Sequence, residues 1–179
     1  MSDIAKGHQI TAAFEYINQL FNECQRIIFK IDNQMAPEWK NLFGNRIVKD
    51  VSASLQEPDS WVLDAIFRFY EGKEDKIVNK CVVLTFWGDE IEQPVITAGK
   101  IIYSDIDKRD HWDLFHLWFV WSDTNENDNN QFEMDGKINV IQSDSCKHIK
   151  EAQVFSWPLV SIIDEETLIE KIIKPLKEL

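Results

Sequence analysis

The sequence predicts an α+β fold. An antiparallel sheet of five to six strands is packed against a long N-terminal helix and a C-terminal helix, in a single domain covering residues 1–179. Three observations predict it. From Ile10 to Met35, apolar residues recur at alternating spacings of four and three, which is the stripe of a long helix. From Trp61 the apolar period changes to two, as on a half-buried strand. Residues 114–121 are apolar or aromatic throughout except for His116. They are too few to span a bilayer and rich in side chains that suit a pleated surface. They read as a central strand covered on both faces, around which the other strands are arranged.

Each element follows from local chemistry. In the first helix, Ile10, Phe14, Ile17, Phe21, Cys24, Ile28, Ile31 and Met35 form one apolar column, and Ala13, Leu20 and Ile27 widen it. That width favours packing on the chain's own sheet, while the strict heptad also offers a seam to a second copy of the chain. Pro37 ends this helix and starts a short one over residues 37–43, capped by Gly44. Ile47, Val48, Val51 and Leu55 keep helical spacing, so a third short helix is expected before Pro58.

Strands are expected from Trp61 to Tyr70, over residues 77–87, 95–103 and 114–121, and then over 137–142 and 152–157. Gly99, in the middle of the third, signals a bulge or a close backbone approach. Short links between successive strands imply an antiparallel meander. The polar run 122–130 and Asp135-Gly136 read as loop and turn. Asp164 is placed to cap the last helix. Glu165 and Glu166 stand in its first turn and Lys171 and Lys174 near its end, and Pro175 is expected to fray its final turn.

Composition narrows the function classes. There are 31 acidic against 19 basic residues, a formal net charge of −12. That balance weighs against nucleic acid and against an anionic membrane surface, and it steers basic partners inwards. The three cysteines, Cys24, Cys81 and Cys146, form no CxxC. They fit reduced thiols and a cytoplasmic protein, with Cys24 and Cys81 filling core positions. No signal-peptide pattern and no apolar run of membrane-spanning length stand out.

Several residue groups have the letters of a chemical site. Asp59 with Glu71 and Lys73 spells a metal-dependent nuclease. The last two fall in an expected hairpin turn, however, where that chemistry needs rigid support. Asp105, Asp107, Asp110 and Asp113 share one loop with Lys108 and Arg109, and the group reads as a solvated turn. Asp123, Asn125 and Asn127 begin like a calcium loop. It lacks glycine in sixth place and has Met134 where the twelfth-position glutamate belongs. Cys146 and His148 are two apart, but nothing specifies a thiol–imidazole pair. No metal, cofactor or catalytic set is therefore assigned.

The aromatic residues are the strongest functional signal. Trp87, Trp112, Trp118 and Trp121, with His116, are the candidate binding residues. The expected function is a non-enzymatic, acidic interaction protein of inhibitor, immunity or chaperone type that binds a basic or apolar protein partner. One alternative is a small-molecule binder or enzyme with an aromatic pocket around His116. The other is the metal-dependent nuclease.

Overall fold

The computed structural model describes residues 3–49, 55–56, 61–86, 92–110, 113, 134–141 and 147–179. The expected central strand, residues 114–121, lies outside them, as does the expected loop 122–130. The chain divides into two compact units, Met1–Gln34 and Met35–Leu179. The fold is α+β, with a long N-terminal helix, an antiparallel sheet and a C-terminal helix. No described helix is long and apolar enough to cross a membrane.

The first unit is one helix, α1, which runs Asp3–Met35. It stops where expected. Pro37 disfavours a helical Ala36, and Glu38 N–H closes a turn on the Met35 carbonyl at 3.1 Å. Lys73 Nζ then donates to the Ala36 and Pro37 carbonyls at 2.9 and 3.0 Å, meeting acceptors that a helix end leaves unpaired.

Among the described residues, the second unit holds a sheet of seven strands: β1 (Trp39–Asn41), β2 (Val48–Lys49), β3 (Ala65–Gly72), β4 (Val78–Thr85), β5 (Val95–Tyr103), β6 (Asn139–Ile141) and β7 (Ile149–Pro158). The strand order is β1-β3-β4-β5-β7-β6, β2 also pairs with β3, and every pairing is antiparallel. The expected short helices over 37–43 and 47–55 are corrected here. Trp39–Asn41 and Val48–Lys49 are strands that pair with β3 at Gly72–Tyr70 and Phe67–Ile66. Helical spacing over so few residues is weak, and pairing with an already formed strand overrides it.

The register sorts residues onto two faces. Ala65, Phe67, Phe69, Cys81, Val83, Ile101, Tyr103, Ala152 and Val154 form one continuous core with Ile141 and Ile149. Leu42, Phe43, Val48 and Ile106 pack against it. β3, β4 and β5 are buried on both faces almost throughout, so they read as apolar runs more than as alternation. Gly99 is a close approach: a Cβ there would run into the Gln153 carbonyl of β7. The bulge lies elsewhere, between Ile102 and Tyr103, where Tyr103 pairs with Ile149 while Ile102 pairs with Glu151.

The C-terminal segment lies against the other face. Asp164 caps it as expected, accepting from Thr167 N–H at 2.8 Å, with the Thr167 hydroxyl returning to the Asp164 backbone. An α turn (Glu165–Leu168) leads into a π turn (Ile169–Ile173) and a final α turn (Lys174–Glu178). The expected fraying at Pro175 does not occur. A proline clashes with the carbonyl four residues back, and the widened turn just before it makes room for the ring. Leu168, Ile172, Ile173 and Leu176 are buried. Two sheet lysines hold the end of this helix. Lys80 Nζ donates to the Lys177 carbonyl at 2.8 Å and Lys100 Nζ donates to the Leu179 carbonyl, the favourable sense for a helix C-terminus. Lys80 also stands 4.5 Å from the centre of the Trp39 ring.

Candidate functional site

The candidate site forms at one end of the core face, where β3, β4 and β5 meet the loop that follows β5. Glu71 and Asn79 are register partners on β3 and β4. Arg109, just past a short 3₁₀ turn (Ile106–Lys108), reaches both of them. Its Nη1 donates to Glu71 Oε2 and to Asn79 Oδ1, each at 2.9 Å. Asn79 is buried and donates from its own amide to the Lys76 carbonyl at 2.9 Å.

A second group is centred on Asp113, whose carboxylate is buried and accepts from three directions. Tyr103 O–H donates to Oδ2 at 2.8 Å, and the Asp110 backbone N–H donates to the same oxygen at 2.9 Å. His148 Nε2 lies 2.7 Å from Oδ1. The Tyr103 and His148 rings lie nearly parallel, 6.2 Å apart. The β5–β7 bulge positions them, because it pairs Tyr103 with Ile149, next to His148. Ser104 N–H then donates to the His148 carbonyl at 2.9 Å. Burial drives the Tyr103 hydroxyl far above its ordinary range, and the Asp113 charge adds to this, so the phenol is a fixed neutral donor. A buried carboxylate holding three partners is a satisfied anchor.

Other side chains with reactive chemistry are occupied. The Cys81 thiol donates to the Gly99 carbonyl at 3.3 Å, and burial drives it well above the ordinary thiol range, which suits a core filler and not a nucleophile. Asp105 is half-exposed and pairs with Lys108 at 3.0 Å, whose hydrogen bond holds its carboxyl below the usual range. Among the described residues, no three His, Cys, Asp or Glu side chains come together in a way that could hold a metal ion. Of the nuclease letters, Glu71 is held by Arg109, Lys73 is held by the Ala36 and Pro37 carbonyls, and Asp59 lies outside the described residues.

The sequence-expected binding residues Trp87, Trp112, His116, Trp118 and Trp121 also lie outside the described residues, as does Cys146. The structure instead brings together Glu71, Asn79, Arg109, Tyr103, Asp113 and His148. The expectation of a wholly solvated 104–113 turn is corrected, because Arg109 and Asp113 turn inwards. One signal in the sequence pointed there: Asp113 directly precedes the apolar run at Leu114, and a carboxylate drawn into an apolar setting must find donors. Compared with known family models, with curated proteins and with solved structures, the chain matches none.

Proposed function

We propose that this chain is a non-enzymatic interaction protein that holds a basic protein partner against an acidic exterior, in the manner of an inhibitor, an immunity protein or a chaperone. One observation carries the reading. Six of the 19 basic side chains are turned onto the chain itself: Arg68 onto the Gly44 carbonyl, Lys73, Lys80, Lys100 and Lys171 onto other backbone carbonyls, and Arg109 onto Glu71 and Asn79. Asp107, Asp110, Asp135, Glu165, Glu166 and Glu170 remain exposed. Arg68 and Lys80 are buried and present little positive charge to a partner, which supports an acidic contact surface.

The test is affinity capture from the native host with the intact chain as bait, followed by mass spectrometry and titration of the purified partner. A partner with a basic face is expected, with an affinity that falls as salt rises, because exposed charges are screened beyond about 10 Å at 0.1 M salt. A partner held equally well at high salt would overturn the proposal. So would recovery of no partner together with a small molecule tightly held by the purified protein.

A further inference from the structure

The first turns of α1 stand bare. No side chain in residues 4–23 is buried, and the apolar column of the helix begins there, with Ile10 61% and Phe14 64% exposed. This stretch is a weak helix by itself. Gly7 and the β-branched or aromatic Ile10, Thr11, Phe14, Tyr16 and Ile17 rank low in helix propensity, and a helix in water depends on packing its apolar face.

The heptad and the charges select what covers it. From Ile10 to Ile31 the spacing of four and three runs unbroken, which is the spacing of a seam between helices. The two flanks of that seam differ. Ala13, Leu20 and Ile27 lie on one, and Thr11, Asn18 and Gln25 on the other. In a parallel pair each flank meets the opposite flank of its neighbour, which would set Leu20 against Gln25. In an antiparallel pair each flank meets its own kind. Ala13 of one copy then lies on Leu20 of the other, and Phe14 on Ile17, so that large meets small in both layers. A two-fold axis repeats these contacts, as a self-complementary dimer requires. α1 carries four acidic residues against three basic ones, a net of −1, so −11 of the chain's −12 lies elsewhere. Neither flank holds a charge from residue 10 to 27, so two copies meet here without the repulsion that their net charge imposes elsewhere, and a basic partner finds nothing to pair with. We propose that this face of α1 binds a second copy of the chain in an antiparallel dimer. Five turns joined in this way bury roughly 1,000 Å² in all, the low end for a specific interface, so the dimer is reversible with a Kd on the order of 10 μM. The seam is uncharged and independent of the basic-partner reading.

The test is sedimentation velocity of the full chain from about 1 to about 300 μM, with the 21.0 kDa monomer as reference. The mass is expected to double across that range, with a midpoint on the order of 10 μM. Raising salt from about 0.1 to about 0.5 M should leave the dimer as tight or tighter, because only like charges are screened. Phe14→Asp and Ala13→Glu, both at exposed positions, should each weaken it at least about tenfold. Neither should change the melting temperature at about 1 μM, where the chain is monomeric. Thr11→Lys combined with Asn18→Glu sets opposite charges face to face across an antiparallel seam and should tighten the dimer about threefold. A chain still monomeric at about 300 μM would overturn the inference. So would a dimer that salt weakens, or one untouched by both seam variants. A melting temperature lowered by both variants in the monomer would show that the column is covered within a single copy, and would overturn it too. No tightening by the double variant would overturn the antiparallel pairing.

Discussion

Replacing Lys80 with methionine should remove a specific part of the pH dependence of stability. Lys80 is only 3% exposed, and its amine is brought down from 10.5 to about 8. Burial is the largest cause; Lys100 and Lys177 repel the charge further, and Glu38 partly offsets them. Below pH 8 the amine is charged in both the folded and the unfolded chain, and the folded state carries the full desolvation cost. Between about pH 8 and 10.5 the unfolded chain binds more protons than the folded one, so stability rises with pH. Above 10.5 both forms are neutral and the cost is gone. At about 1.4 kcal/mol per pH unit, the gain across the window is of the order of 3 kcal/mol. Urea denaturation of the parent and Lys80→Met at half-unit steps from pH 7 to 10.5 measures it, because other titrating groups cancel in the difference. The parent should gain on the variant by about 3 kcal/mol, mostly above pH 8. Parallel profiles would show that the amine is not desolvated and would refute the reasoning.

Three further outcomes follow from the packing. Asp113→Ala strands the Tyr103 hydroxyl and the Asp110 N–H and should cost about 3 kcal/mol in chemical denaturation, and a loss under 1 kcal/mol would mean that water replaces the carboxylate. Gly99→Ala drives a methyl into the Gln153 carbonyl and Val154, and should lower stability by about 3 kcal/mol because a ladder backbone cannot give way as a side chain can. Asp164→Ala removes the cap on the last helix and should cost about 1 kcal/mol, with Asp164→Asn recovering most of it.

Where local chemistry decides an element, the sequence was legible. β5 runs Val95–Tyr103 as its pattern and the preceding Pro94 indicate, α1 ends at Met35 before Ala36-Pro37, and Asp164 caps the helix it precedes. Where a distant partner decides, it was not. Trp39–Asn41 is a strand because Gly72–Tyr70 lies beside it, a pairing that no local pattern announces. The site residues were hidden for the same reason. Arg109 and Asp113 sit in a run of alternating charges that resembles a solvated turn, yet Arg109 is drawn in by Glu71 and Asn79, and Asp113 by Tyr103 and His148. Pro175 signals a disrupted final turn, but it does not say that a wider turn upstream will absorb the disruption.

The two ammonium groups that grip the last helix couple surface chemistry to folding. Acylating agents that neutralise lysines indiscriminately would leave the outer ones harmlessly altered, whereas a blocked Lys80 or Lys100 can no longer hold the helix terminus on the sheet. Reaction at these two amines should therefore wait for that helix to lift, so the rate at which they are labelled becomes a clock for its detachment.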